Sequence, residues 1–544
     1  MPVLTTTPSQ PTTETTTKHS RKRKKPNVPQ PGEPGYKTPT QLRNERKRRA
    51  KKQQVGVKSN DGRSTSGSGV TDTKPTSNSK KTAMLDPSSR YLDNPTAAPL
   101  VQKAIAFFKT TTPPQKGDFK IHPVGGSNGA MLTGWRTVAK LAVRAKDGKI
   151  SIGLFAPNSH DLLPVPNCAA HHPSINAAVA ILEQLLNRTP TRRTSTIIAD
   201  GDDDDGNAVG ATTAFDESTG KGHLRHVAIN VERSTGKVQI TLVWNSHPFG
   251  QGKEGHDNND EEEKKILDSF TNAIVMAAGD GRKRRRGRKG TDVAGITPVQ
   301  PESVPEKQPL NLHSLWVHFN ASWKHSNAIF SIEGGPDSWK HVYGPRYIEE
   351  SLSLTGQATP VALRFPPNVF RQANLDAFTN IVDVIRSTIK SKFSDGKPSC
   401  VELYGGVGTI GLNVADLTSP LISSDENPFN KECFLAAAAP PKHDSSSLMY
   451  ETKNATAMVR SKALEKGQVI IVDPPRKGLD DEVLAALCSA ETPELLVYVS
   501  CGFDAFQRDC GALLQSRWRL DHAEGHLLFP GSDAIETLAF FTRK

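Results

Sequence analysis

Three short apolar runs in the C-terminal third constrain this chain most, because each ends abruptly on residues that carry chemistry. Cys400-Val401-Glu402-Leu403-Tyr404 runs into the turn Gly405-Gly406-Val407-Gly408-Thr409-Ile410-Gly411. Val469-Ile470-Ile471-Val472 ends on Asp473-Pro474-Pro475-Arg476, and Leu495-Leu496-Val497-Tyr498-Val499 ends on Ser500-Cys501. Runs this short and apolar are strands covered on both faces. Helical stretches alternate with them, so the pattern predicts an α/β domain with a parallel, doubly wound sheet. Ligands bind such sheets outside the carboxyl ends of the strands. Cys501 therefore stands where a nucleophile would, although a solitary cysteine more commonly fills a packing position.

Only part of the 544 residues can join such a core, given 39 prolines and an apolar fraction of 35%. Residues 1–115 are rich in Thr, Pro, Ser and Lys and lack apolar periodicity, which predicts a disordered basic arm. Residues 1–60 hold fifteen Lys and Arg against Glu14, Glu33 and Glu45, whereas 61–544 carry 54 charges of each sign. The basicity thus belongs to the arm and suits attraction to phosphate, nuclear import through Arg21–Lys25 and Arg46–Arg49, or both. Six cysteines without a Cys-x-x-Cys pair argue against a metal centre and fit a reducing compartment. No run of eighteen apolar residues and no secretory leader are visible. The expectation is a monomeric protein of nucleus or cytoplasm, with plastid or mitochondrion as the alternative and no membrane partner.

Residues 116–364 read as a smaller α+β domain. Strands over 137–144 and 150–155 flank a Lys-Asp-Gly turn, a helix spans 175–186, and a second hairpin joins 227–231 to 238–243. Further strands are expected over 315–319 and 328–332. Stretches near 200–206, 250–265 and 279–309 read as low-complexity insertions, with Arg282–Lys289 a basic loop able to touch an RNA backbone.

Residues 365–544 form the α/β domain, entered through Phe370-Arg371-Gln372-Ala373-Asn374 and an amphipathic helix to about Ile389. Glycines at 406 and 408 let backbone approach a ligand at a helix N-terminus, and Asp425, nineteen residues after Gly406, suits ribose hydroxyls. Such a half-site serves a nicotinamide dinucleotide or S-adenosylmethionine equally well.

The order of motifs resembles the RNA uracil-5-methyltransferase family, which uses S-adenosyl-L-methionine. Phe370–Asn374 is similar to its Phe-x-Gln-x-Asn segment, Glu402–Gly411 to its first cofactor motif, and Asp473–Arg476 to its Asp-Pro-Pro-Arg. Ser500-Cys501 with Arg508-Asp509 resembles its nucleophile segment, and Phe529-Pro530 with Glu536 its terminal base segment. The likeness implies a Rossmann-like class I methyltransferase domain preceded by an RNA-facing domain. It also implies a tRNA or rRNA substrate, and the lack of a four-cysteine set with Cys168 argues against the iron–sulfur cluster that some relatives carry. Departures stand at Gly502-Phe503, where the family has Asn-Pro, at Ala534, where it usually has His, and at Asn454 in place of an adenine-contacting Asp.

Uracil C5 becomes nucleophilic once a thiolate adds at C6, and the C5 proton must then leave. The resemblance implies Cys501 as that nucleophile and Glu536 as the base. Gln372, Tyr404, Gly406, Gly408, Asp425 and Asp473 are the implied cofactor or base contacts. Arg136 and Lys140 are candidate RNA contacts, and a loop or flipped uridine is the expected target. An RNA-folding protein with secondary methylation, a dinucleotide oxidoreductase and cytosine C5 methylation remain open alternatives on sequence alone.

Overall fold

Residues 87–111, 118–122, 132–156, 159–188, 211–249, 257–279, 309–322, 335–438 and 447–544 are described by a computed structural model. The clusters at 21–25 and 46–49, the acidic loop at 202–205, the Arg282–Lys289 loop and the strand expected over 328–332 lie outside these residues. Among the described residues no helix is long and apolar enough to cross a membrane.

Order begins earlier than the composition predicts. Pro99–Thr110 is a helix, α1, opened by a proline in its first turn, where a missing N–H is harmless. Its Val101, Ala104 and Phe108 recur at helical spacing and are buried in the core of the α/β domain. Residues 87–111 are therefore not part of a disordered arm. One twelve-residue amphipathic stretch gives little signal when its apolar partners lie some 400 positions away. Lys120–His122, β1, likewise leaves the small domain expected to start at 116, because it pairs in parallel with the C-terminal strand Trp518–His526.

The small domain is built on β2 (Val138–Lys146), β3 (Lys149–Phe155) and β4 (Leu162–Pro164), then helix α2 (Pro173–Leu186), β5 (Leu224–Val231) and β6 (Val238–Trp244). Helix α3 (Asp257–Ala277), β7 (Leu312–Phe319) and β8 (Trp339–Tyr343) complete it. The strands form one sheet in the order β4-β3-β2-β5-β6-β7-β8. Asp147 and Gly148 both have positive φ, as a two-residue hairpin between β2 and β3 requires. β6 and β7 are parallel because α3 carries the chain back along the sheet. The insertion expected over 250–265 is corrected from 257 onward. Glu261–Glu263 lie in the early turns of α3, where acidic side chains complement the helix dipole, and Leu267, Phe270 and Ile274 are buried farther along it.

The α/β domain also begins before residue 365. β9 (Ile348–Glu350) and β10 (Leu363–Phe365) form a ribbon whose Ile348, Leu363 and Phe365 sit in its core. Then follow α4 (Leu375–Lys392), β11 (Cys400–Leu403), α5 (Gly411–Val414), β12 (Leu421–Ser424), α6 (Phe429–Ala438) and β13 (Leu448–Glu451). The chain continues through α7 (Ala455–Arg460), β14 (Val469–Val472), α8 (Asp481–Ser489), β15 (Leu495–Ser500) and α9 (Phe503–Gln515). It closes with β16 (Trp518–His526) and β17 (Glu536–Arg543). The sheet order is β1-β16-β17-β15-β14-β11-β12-β13, with β11 to β15 mutually parallel. β17 runs antiparallel to both β15 and β16. That reversal brings its amino end to the edge where the parallel strands have their carboxyl ends.

Candidate active site

Register puts the predicted residues on one edge. Ser500 pairs with Thr537, so the next position outward sets Cys501 against Glu536. Val472 pairs with Leu403 and Leu403 with Ser424, which brings Asp473, Tyr404 and Asp425 to the same level on neighbouring strands. Glu536 is on an interior strand and is 2% exposed, so its carboxyl is not an ordinary surface group.

Burial and crowding of acids set the protonation of this edge. The Cys501 thiol is pushed up to about 11, first by burial and then by the negative charges of Glu536 and Asp473, with Arg476 opposing. Burial, then Asp473, holds the Glu536 carboxyl well above the usual range, and Arg476 again opposes. Asp473 is also raised, by burial and by Glu402. At neutral pH the thiol is protonated, and burial favours the neutral form of both acids.

The glycine turn is shaped from below. Tyr404 leaves β11 with φ 60, a conformation that strains a bulky residue by about 1–3 kcal/mol and throws the chain into the turn. Gly406 follows at φ 54 and Gly408 at φ 88. A Cβ on Gly408 would lie 2.6 Å from Phe434, whereas one on Gly406 would meet nothing within 4 Å. The turn is thus closed underneath and open above Gly406. Glu402, which the sequence did not single out, braces it: its carboxyl accepts from Gly411 N at 2.8 Å and from Ser423 Oγ at 2.5 Å. Asp425 accepts from Gly406 N at 3.1 Å and Asn427 N at 2.9 Å, which fixes its carboxylate at the strand end. Tyr450, also missed, donates its hydroxyl to Gly406 O at 2.9 Å. Asn454 caps α7, accepting from Ala457 N at 2.8 Å.

A cleft of about 690 Å³ opens between the small sheet and this domain, and Arg136, Lys140, Gln372, Arg476 and Ala534 line it. Gln372 is held by its neighbours. Asn374 caps α4 through Ala377 N and donates to Leu528 O at 3.0 Å, while Arg371 is buried against Glu350. Thr137 N donates to Ala373 O at 2.8 Å and joins the two domains at this point. The Arg136 guanidinium lies 5.0 Å from the Trp135 ring centroid and 5.7 Å from that of Phe529. Pro87, Arg90 and Tyr91 complete one wall, which the sequence had assigned to the disordered arm.

No family model matches the chain. An uncharacterized RNA methyltransferase of Protochlamydia amoebophila is 32% identical over 413 residues, covering 76% of this chain and 87% of that protein. The chain belongs to the RNA methyltransferase family. Uncharacterized RNA methyltransferases of Lactococcus lactis and Bacillus cereus are 25% and 24% identical and cover 79% and 75% of the chain. The fold of this RNA methyltransferase is similar to a crystal structure of Pyrococcus abyssi tRNA (uracil-54, C5)-methyltransferase in complex with S-adenosyl-L-homocysteine. The TM-score is 0.51 at 17% identity, with 81% of each chain covered.

Two departures from the uracil-5 pattern acquire physical reasons. A Cβ on Gly502 would fall 2.3 Å from Arg476 O, so glycine lets the loop after the thiol pack on the Asp-Pro-Pro-Arg backbone. Phe503 is buried among aromatic rings, with Phe107 of α1 at 5.8 Å and Phe506 at 6.0 Å. It faces α1 rather than the cleft. Arg508 and Asp509 secure the segment that follows Asp-Pro-Pro-Arg: Asp509 accepts from Leu479 N at 2.9 Å and Tyr498 Oη at 2.8 Å, and Arg508 donates to Leu479 O at 3.0 Å.

Proposed function

We propose that this protein transfers a methyl group from S-adenosylmethionine to C5 of a uridine in structured RNA, tRNA or rRNA. The observation that carries the reading is the pairing of a strand-tip thiol, Cys501, with a buried carboxyl, Glu536, at the edge of an RNA methyltransferase domain. The open space above Gly406 and the fixed Asp425 carboxylate fit the cofactor, Asp425 toward its ribose. Tyr404, Gly408 and Gln372 complete that binding region, and Asp473 stands between it and the thiol.

S-adenosylmethionine supplies an electrophilic methyl group to C5 and leaves as S-adenosylhomocysteine. The chain's own work comes before and after. Cys501 loses its thiol proton to solvent, and the resulting Sγ thiolate forms a bond to C6 while the C5=C6 π electrons pass toward C5 and O4. After methylation, Glu536 in its ionised form takes the C5 proton, C5=C6 re-forms and the C6–S bond breaks. Arg476 favours both the thiolate and the carboxylate, since it opposes the shift of each. Arg136 and Lys140 line the cleft as contacts for RNA phosphates around a base turned out of its stack.

The test is incubation of the full chain with methyl-labelled S-adenosylmethionine and, separately, tRNA and rRNA, followed by nucleoside analysis. The expected product is 5-methyluridine. Cys501→Ala should abolish it, and Glu536→Gln should slow turnover roughly 10²- to 10⁴-fold while a covalent protein–RNA adduct accumulates. Label in another nucleoside, undiminished activity in Cys501→Ala, or RNA binding without methylation would overturn the reading.

A further inference from the structure

The sheet edge beyond β17 carries a cluster that methyl transfer leaves unused. β16 contributes His522, Glu524 and His526, and β1 contributes His122, the register partner of His526. His122 Nε2 lies 3.0 Å and His522 Nε2 3.1 Å from Glu524 Oε2, and His526 Nε2 lies 2.9 Å from Oε1. The donor atoms of His122, Glu524 and His526 all fall within 4.8 Å of one another. Glu524 and His526 are buried, while the His122 and His522 side chains are 38% and 35% exposed, so the cluster has a closed floor and an open mouth.

We propose that His122, Glu524 and His526 bind a zinc-class divalent cation that fastens β1 to β16, with the fourth position open to solvent at the mouth of the cluster. Two imidazole nitrogens and a carboxylate oxygen suit zinc, whereas magnesium and calcium prefer all-oxygen sets. Bonds of about 2.0–2.1 Å at a tetrahedral centre place ligand atoms about 3.3 Å apart. The N···O separations from Glu524 to His122 and His526, 3.0 and 2.9 Å, are shorter by only a few tenths of an ångström. β1 also has reason to need a fastening. Among the described residues it pairs through Lys120, Ile121 and His122, on the sheet edge and in the slanted parallel pattern. The consequence reaches the candidate base, because His526 is also the register partner of Glu536.

The experiment uses untagged full chain stripped with chelator, then titrated with Zn²⁺ against a chromophoric competitor and separately with Co²⁺. One Zn²⁺ per chain is expected, with a rise in Tm and the intense visible bands of four-coordinate cobalt. His122→Ala and His526→Ala should each weaken Zn²⁺ more than about a hundredfold, beyond what loss of an outer-shell group produces. His122 is half-exposed on an edge strand, so that variant stays folded by circular dichroism even where His526→Ala does not. Glu524→Gln keeps the shape of the cluster and should also lose the ion. Zn²⁺ bound equally by wild type and His122→Ala, or the weak bands of six-coordinate cobalt, would leave a hydrogen-bonded network of three imidazoles around a carboxylate and overturn the proposal.

Discussion

The resting thiol of Cys501 is protonated, and its reactivity follows from what displaces that proton. With the thiol at about 11, the thiolate fraction rises about tenfold per pH unit through neutrality. Single-turnover adduct formation should therefore climb with a slope near one between pH 6.5 and about 9; a flat profile would mean that thiolate formation does not limit the step. Arg476→Ala removes the charge that opposes both neighbouring acids and should slow adduct formation on the order of tenfold at fixed pH. Glu402 makes a separate prediction about stability. Burial raises its carboxyl to about 7, against Ser423 and Gly411, so the folded chain binds more protons than the unfolded one between the free carboxylate value and pH 7. Stability then falls as pH rises through that window, and Glu402→Gln should flatten the fall of Tm between pH 5 and 7. Gly502→Ala inserts a Cβ against the Arg476 carbonyl. A cost of about 1–3 kcal/mol is expected in denaturant unfolding, with a larger proportional loss in turnover. Cys501, Asp473 and Glu536 could be singled out in the sequence because their motifs are local. Glu402 and Tyr450 were not, because their partners come from other strands.

Among the elements, α1 has the clearest consequence. Its Phe108 stacks on Phe119 at 4.2 Å and lies 5.9 Å from Phe506, so the helix closes the face of α9 that follows the thiol. Removal of residues 1–86 should leave Tm nearly unchanged, whereas removal of 1–111 should lower it by many degrees. Phe108→Ala alone should lose about 3–5 kcal/mol in denaturant unfolding. An unchanged midpoint in that variant would show that α1 does not belong to the core. Phe503 connects sequence to element here, since an aromatic at that position makes sense only once α1 is packed on it. α3 repeats the lesson, because a charge run at a helix start masked the buried half that follows.

For the molecule as a whole, charge is divided along the chain: residues 1–60 hold fifteen of the 69 Lys and Arg against three acids, and residues 61–544 are neutral. Deleting residues 1–60 should weaken RNA binding and flatten its dependence on salt, each lost phosphate contact removing about 0.7–0.9 from the log–log slope. Turnover at saturating RNA should change little, because the thiol, the acids and the cleft residues all lie beyond residue 60. By itself the sequence determined the α/β domain, the strand tips, the glycine turn and the residues carried on them, since these follow from short-range patterns of apolarity and turn chemistry. Only the tertiary structure decided that β17 runs antiparallel and so carries Glu536 to Cys501. It alone recruited β1 and α1 from the far end of the chain and turned Phe503 away from the cleft. Each of those outcomes rests on contacts between residues distant in the chain, whose partners local periodicity cannot name.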